Sequence, residues 1–293
     1  MSGNNVLRCL YGLPNVNISF SVEFFPPKCI HAIRTAVGGY LTARDCVGFK
    51  FVSLTCGASG ADKHNSYKLL LALSLFIETK KILIHLIQVD KSLEVLTLFI
   101  KRLKQLGVNK ILLLKGDYYV DAQIRPDAAN DFLFLTETRL LSLFCAITNY
   151  PEVHILGKSS RCERTLAAIK RSFGCSYSFT QFFNVVETFI KANIRMCLLT
   201  KLLNIPGFVI SVKRPLGCRT SVRCGVYIPR FIKSLILIDC DNFRKRNMMM
   251  YTITKVYIML INNIRWLHVF ALNKFRTFHK LTWLFSLSGT NLG

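Results

Sequence analysis

Acidic residues are scarce in this chain, which has 16 Asp and Glu against 39 Lys and Arg and a formal net charge of +23. Such an excess is typical of proteins that bind nucleic acid or a membrane surface. However, no run of five or six like charges forms a basic tail, and the aromatic residues lie mainly in apolar periodic runs. We therefore interpret the positive charge as spread over a solvated surface and expect no nucleic-acid or membrane partner. A basic nucleic-acid-binding protein stays an alternative.

Signatures of metal sites, disulfide frameworks and membrane spans are also missing. None of the eleven cysteines forms a Cys-x-x-Cys pair, and several, such as Cys145, lie inside apolar runs. This usage is typical of small hydrophobic side chains in a reducing compartment, so we expect a cytoplasmic protein with no metal site. No window reaches the ~18 uncharged apolar residues of a membrane span. Residues 1–5 lack the charged and apolar regions of a signal peptide.

The sequence does contain a regular alternation of short apolar runs with segments of helical spacing. The runs predict eight strands, at Asn17–Phe24, Phe49–Thr55, Ile82–Val89, Lys110–Leu114, Leu143–Thr148, Ser176–Thr180, Leu202–Ile205 and Arg265–Leu272. Helical spacing marks Ser92–Leu106, Ser160–Ser172, Asn184–Arg195 and Met248–Asn262.

This alternation implies right-handed βαβ units, and eight of them imply a single-domain α/β protein, a (β/α)8 TIM barrel. We expect the domain to span residues 1–293, with an N-terminal extension at 1–16 and a C-terminal tail at 275–293. An open doubly wound sheet is the alternative. It is disfavoured because no Gly-x-Gly-x-x-Gly motif follows the first strand.

Six polar signatures recur along the chain, and most of them follow directly after a short apolar run, where a strand ends and a βα loop begins. They are Ser21–Lys28, Ser53–Ala58, Lys115–Asp117, Tyr150–His154, Thr180–Phe183 and Leu272–Lys274. A parallel barrel gathers the ends of its strands onto one face, and that face carries the chemistry of such barrels. The signatures are therefore predicted to converge on a single pocket.

The order and spacing of these signatures closely resemble those of the bacterial methylenetetrahydrofolate reductase family, from about Ile18 to Lys274. The resemblance implies an FAD-containing barrel that takes a hydride from NADH or NADPH and reduces 5,10-methylenetetrahydrofolate to 5-methyltetrahydrofolate. This product supplies methyl groups for methionine synthesis. The implied partners are the folate and the nicotinamide nucleotide, and we also expect a homo-oligomer. A catalytically impaired folate- or flavin-binding barrel is the alternative.

The resemblance also implies roles for individual residues. Glu23 would be the proton donor that opens the methylene bridge, provided that burial keeps its carboxyl partly protonated near neutral pH. The Asp117 carboxylate would lie beside the flavin and favour a cationic iminium, and Gln181 and Leu272 would contact the substrate. The implied cofactor-binding residues are Thr55, His85, Lys115, Asp117, Tyr150, His154, Glu163 and Lys170. Considered without the family, Glu23 also suits a cap next to a turn, and His85 a core histidine.

The chain departs from the family pattern where the adenosine half of FAD would bind. Lys115 replaces an arginine, so a two-pronged contact becomes a point charge. Glu163 replaces an aspartate, while Leu166 and Ile169 replace a polar and a basic residue. We therefore expect weak binding of FAD.

Overall fold

The structure is a computed structural model that describes residues 18–25, 27, 29–44, 48–55, 63–87, 93–114, 144–152, 159–209, 220–238 and 240–271. The predicted extension at 1–16 and the tail at 275–293 lie outside the described residues. Among the described helices, none is long and apolar enough to cross a membrane.

Eight parallel strands close into a barrel in which each strand pairs with its neighbours in sequence and β1 pairs with β8. The strands are β1 (Ser19–Phe24), β2 (Phe49–Leu54), β3 (Ile82–Ile87), β4 (Lys110–Leu114), β5 (Phe144–Asn149), β6 (Tyr177–Phe182), β7 (Leu203–Val209) and β8 (Trp266–Phe270). The closed barrel confirms the predicted fold and excludes the open sheet.

Helices connect the strands: α1 (Ile30–Arg44), α2 (Lys63–Ser74), α3 (Leu93–Gln105), α4 (Ser160–Ser172), α5 (Val186–Thr200), α6 (Arg230–Leu237) and α7 (Asp241–Ile261). A 3-10 turn at Thr79–Lys81 precedes β3. After α3, Gly107 adopts φ +78°, which is typical of a glycine that ends a helix.

Two boundaries differ clearly from the predicted ones. Helix α7 begins at Asp241, well before the predicted Met248, because the Asp241 carboxylate pairs with Arg244 and Lys245 one turn further on. These pairs make the basic segment compatible with the first turns of a helix.

Strand β7 continues through Pro206 and Gly207, although the prediction ended it at Ile205. The β6–β7 register shifts at this point, and the Gly207 amide donates to the Thr180 side-chain oxygen at 2.9 Å. A Cβ at Gly207 would lie 2.1 Å from the Thr180 carbonyl oxygen. Only glycine fits this close approach, so the Pro-Gly pair does not end the strand.

The barrel interior contains an apolar layer that supports the site. Phe51, Leu83, Leu112, Ala146, Phe179 and Ile205 pack together there, one from each of β2 to β7. Because strand side chains alternate between faces, the residue two positions later on each strand lies on the same face, nearer the carboxyl ends. Polar residues occupy several of these positions, including Ser53, His85 and Gln181.

Candidate active site

The candidate site is centred on the Glu23 carboxylate at the carboxyl end of β1. Glu23 is only 6% exposed, and its backbone aligns with Ser53 of β2 and Phe270 of β8. The Thr55 hydroxyl donates to Glu23 Oε1 at 2.7 Å. Glu23 Oε2 lies 3.6 Å from His268 Nε2 and 3.9 Å from His85 Nε2. Three of the predicted site residues therefore meet around one carboxylate, and His268 joins them.

Thr55 is held in place through its backbone. Its amide donates to the Phe24 carbonyl at 3.0 Å, and its own carbonyl accepts from the Ser66 hydroxyl of α2 at 3.1 Å. Both bonds fix the residue that follows β2. These bonds use only the backbone of Thr55, so its side-chain hydroxyl is available to donate to Glu23.

His268 of β8 connects Glu23 to two serines. Its Nδ1 lies 2.8 Å from Ser21 Oγ, and its Nε2 lies 3.4 Å from Ser53 Oγ. The imidazole packs on the apolar layer, with its centroid 4.8 Å from that of Phe179. Nε2 therefore lies between a hydroxyl and a carboxylate, and Nδ1 faces a second hydroxyl. This line of groups can carry a proton toward Glu23.

The electrostatics of this cluster differ from the expectation. Burial raises the pKa of Glu23. His85, His268 and the Thr55 hydroxyl lower it by a larger amount, so that the pKa lies below its ordinary value of 4.5. Burial also lowers the pKa of His85 to about 4. His85 is therefore neutral near pH 7. At this pH, Thr55 and His268 are the neighbours that stabilise the Glu23 anion. This direction runs against the predicted partial protonation of the carboxyl, because the two histidines and the Thr55 hydroxyl together outweigh burial.

His85 Nε2 is buried and has no hydrogen-bond partner among the described residues. A buried polar atom without a partner is rare and costly in a folded protein. It lies at the mouth of the barrel beside Glu23, which is the position where a bound ligand would supply a partner.

Gln181 lies near the end of β6, on the same face as Phe179. Its side-chain oxygen accepts from the Phe182 amide at 3.0 Å. The side chain is half-buried. Gln181 therefore belongs to the same end of the barrel as Glu23.

A separate cavity of about 180 Å³ lies beside the end of β5, between α4 and α5. It contains two of the predicted cofactor-binding residues, Tyr150 and Glu163. The other charged residues that line it are Arg164, Lys191 and Arg195.

Lys170, a further predicted cofactor-binding residue, lies apart from both groups. The hydrogen bond with the Cys145 thiol, 3.3 Å away, lowers the pKa of Cys175, and Lys170 and Arg171 lower it to a smaller extent. Cys145 is near the start of β5, at the opposite end of the barrel from Glu23. The role of Lys170 in cofactor binding stays a prediction, as do the roles of Lys115, Asp117, His154 and Leu272, which lie outside the described residues.

Comparison with known proteins identifies the family. The family described as methylenetetrahydrofolate reductase matches residues 12–282, nearly the whole chain. This chain belongs to the methylenetetrahydrofolate reductase family. The 5,10-methylenetetrahydrofolate reductase of Buchnera aphidicola subsp. Schizaphis graminum is 24% identical over 288 residues, which are 94% of this chain and 95% of that protein.

Other relatives in the family match a shorter part of this chain. The 5,10-methylenetetrahydrofolate reductase of Escherichia coli strain K12 is 25% identical over 178 residues, which are 60% of this chain and 58% of that protein. The Pectobacterium carotovorum enzyme of the same name is 27% identical over 180 residues, or 60% and 57% of the two chains.

Among solved structures, a mutant tryptophan synthase α-subunit from Pyrococcus furiosus is similar in fold to this family member. The TM-score is 0.50 at 10% identity, and the match covers 94% of this chain and 97% of that one. At this identity the likeness concerns the barrel fold alone.

Sequence reasoning missed His268 as part of the site, although Ser21 and Ser53 open two of the predicted signatures. A signal for His268 was present, because it is a polar residue inside the otherwise apolar strand β8. A buried polar residue at such a position needs a partner, and here His268 has both serines as partners.

Proposed function

We propose that this protein reduces 5,10-methylenetetrahydrofolate to 5-methyltetrahydrofolate, with NADH or NADPH as the source of the hydride and FAD as the cofactor. The family match supports the reaction. The observation that carries the proposal is the buried Glu23 carboxylate with Thr55, His85 and His268 around it. Methyl supply for methionine synthesis, a homo-oligomeric state and a cytoplasmic location stay predictions.

The reaction needs one proton and one hydride. A proton on the bridging nitrogen opens the methylene bridge and leaves an iminium cation, and the hydride then adds to the methylene carbon. The Glu23 carboxylate favours the cation by its charge. A folate that covers the site excludes water and so raises the pKa of the carboxyl, which allows Glu23 to hold the proton that it donates.

His268 can restore the proton on Glu23 after each turnover. Its Nε2 faces the carboxylate, while its Nδ1 faces the Ser21 hydroxyl at 2.8 Å. A proton from solvent would reach Nδ1 as the Nε2 proton passes to Glu23. His268 is then neutral again, and Ser21 keeps its proton, so no second charge has to stay buried.

The described residues suit FAD in two separate parts. Bound FAD would supply hydride transfer between the nicotinamide and the folate. Thr55 and the unpartnered His85 Nε2 would serve its ring system at the barrel mouth. In the cavity between α4 and α5, the cations Arg164, Lys191 and Arg195 suit the pyrophosphate, and Tyr150 and Glu163 suit the adenosine half.

The three cations would partly offset the predicted weakness of FAD binding. Leu166, which replaces a polar residue of the family, is 50% exposed and does not line the cavity. Lys191 and Arg195 on α5 would provide part of the FAD binding that the polar residue provides in the family. We expect FAD binding to weaken at high salt, because exposed charges are screened.

Titration with FAD tests the role of these cations. Arg195→Gln should weaken FAD binding about tenfold, the loss of roughly one charge-assisted hydrogen bond. Arg161→Gln, which changes an exposed arginine of α4 outside the cavity, is the matched control and should bind FAD as the wild type does. Equal affinities of the two variants would show that the cavity does not hold the cofactor.

A turnover assay tests the function itself. Protein incubated with FAD should acquire a flavin absorption spectrum and, with NADH or NADPH, convert 5,10-methylenetetrahydrofolate to the 5-methyl product, detected by mass spectrometry. Binding of flavin and folate without product would support the impaired barrel instead. Binding of neither compound would reject the proposal.

A further inference from the structure

Lys255 is a buried cation in α7, outside the site described above. It is 6% exposed, and its ammonium donates to the Phe183 carbonyl oxygen. Three aromatic rings surround Nζ, with centroids 5.0 Å away for Phe183, 4.9 Å for Phe208 and 5.6 Å for Tyr251. A lysine is almost never buried to this degree unless its partners compensate for lost hydration.

The carbonyl that Lys255 holds belongs to the connection between β6 and α5, which follows directly after Gln181 and Phe182. Tyr251, one turn earlier on α7, donates its hydroxyl to the next carbonyl, that of Asn184. Two side chains of one helix thus hold two successive carbonyls of a single loop.

Hydrogen bonds also connect this loop to the turn after β5. The Asn184 side chain donates to the Tyr227 carbonyl at 2.7 Å, and the Tyr227 amide donates to the Glu152 carboxylate. Glu152 lies within the Tyr-Pro-Glu-Val-His motif that follows β5. Helix α7 is therefore connected through hydrogen bonds to two loops at the carboxyl end of the barrel.

Few charged groups act on Lys255. Burial lowers the pKa of Lys255 to about 7, and the Glu152 carboxylate opposes this shift. Burial also raises the pKa of Glu152. Tyr251 stays neutral, because burial, Glu187 of α5 and Glu152 all raise its pKa. Among the described residues, the other groups against Nζ are the uncharged rings of Phe183 and Phe208.

We propose that Lys255 and Tyr251 are positioning residues for the substrate: by holding the Phe183 and Asn184 carbonyls they fix the orientation of Gln181, and protonated Lys255 holds more tightly than the neutral amine. The inference rests on the proposed function, in which Gln181 binds the folate. Charge strengthens a hydrogen bond to a carbonyl and the attraction to a ring face. Glutamine orientation matters because a misplaced amide loses its bonds to the substrate.

The first test is a double-mutant cycle on the KM for the folate. Lys255→Met keeps the length of the side chain and removes its donor, and should raise this KM about tenfold. Gln181→Ala should raise it at least as much, and the double variant should be no worse than Gln181→Ala alone, because Lys255 acts through Gln181. FAD affinity and flavin reduction by the nicotinamide should not change.

Lys233→Met, at an exposed position on α6, is the matched control and should leave the KM unchanged. Additive effects of Lys255→Met and Gln181→Ala, or an unchanged KM in Lys255→Met, would overturn the proposal. If Lys255→Met does not fold, as judged by circular dichroism, Tyr251→Phe takes its place in the same cycle, because it removes one hydroxyl and keeps the ring. A wild type that does not turn over the folate would reject the proposed function before any variant is compared.

The second test is pH. The ratio of the folate KM of Lys255→Met to that of the wild type should fall several-fold between pH 6 and pH 8, as Lys255 loses its proton. A ratio that stays constant over this range would overturn the role of the charge.

Discussion

Glu23 and Lys255 are both buried ionisable groups, and burial opposes the charge of each, yet the outcomes differ. Glu23, inside the barrel mouth, keeps a pKa below 4.5. Lys255, outside the barrel between α7 and the β6–α5 connection, has a pKa lowered to about 7. Both side chains are exposed by only 6%, so the degree of burial does not account for the difference.

The difference lies in the partners that each group has. Glu23 receives the Thr55 hydroxyl and has two imidazoles within 4 Å. Lys255 has one carbonyl as a hydrogen-bond acceptor, and otherwise mainly aromatic rings. A buried charge persists when hydrogen bonds replace its hydration, and it is readily lost when they do not. Removal of single partners should therefore change the two groups in predictable ways.

The largest effect is expected for His268→Phe. A phenyl ring keeps the packing on Phe179 but removes the group that lies between Ser21 and Glu23. The folate half-reaction should slow on the order of 10²-fold, as for loss of a general acid–base partner, when measured by stopped-flow absorption of the flavin. His31→Phe, at an exposed position of α1, should leave the rate unchanged. An equal loss of flavin reduction by NADH would show that His268 supports only the structure.

Lys255→Met should change how stability depends on pH. The folded-state pKa of Lys255 is about 7, below its ordinary 10.5, so between these values the unfolded chain binds the extra proton. The unfolding free energy of the wild type should therefore rise with pH relative to Lys255→Met, by up to ~1.4 kcal/mol per pH unit from pH 7 to 10. Urea unfolding of both proteins across this range measures the slope. Parallel curves would mean that Lys255 keeps its charge in the fold.

A smaller effect is expected for Thr55→Val, which removes one donor from Glu23 at nearly constant shape. The pKa of Glu23 should rise, because the carboxylate loses a hydrogen bond that stabilises its charged form. In the pH profile of the folate kcat/KM, the limb on which activity falls as Glu23 deprotonates should shift to higher pH. Thr165→Val, at an exposed position of α4, provides the reference profile. A shift to lower pH in Thr55→Val would contradict the role of the hydroxyl.

The two groups also differ in how far the sequence predicts them. Glu23, Thr55 and His85 were predictable because strand alternation and the barrel topology bring strand ends together. The lowered pKa of Glu23 was not predictable, because it depends on His85 and also on His268, which lies more than 240 positions later in the chain. The sequence places both residues on strands, but only the closure of β1 against β8 makes them neighbours.

Lys255 illustrates what local pattern cannot provide. In the sequence it is one cation in an apolar helix, and it could equally well face solvent. Its burial depends on rings from three separate elements, Phe183 after β6, Phe208 in β7 and Tyr251 in α7. The early start of α7 had a local cause, the Asp241 pairs, whereas the continuation of β7 through Pro206 depended on Thr180 of the neighbouring strand.

Separate measurement of the two half-reactions in Glu23→Gln tests whether Glu23 donates the proton in the folate half-reaction. Under anaerobic conditions, NADH should bleach the flavin of Glu23→Gln at nearly the wild-type rate. Addition of 5,10-methylenetetrahydrofolate should then restore the flavin absorbance on the order of 10²-fold more slowly than in the wild type. Equal losses in both half-reactions, or restoration at the wild-type rate, would contradict the account.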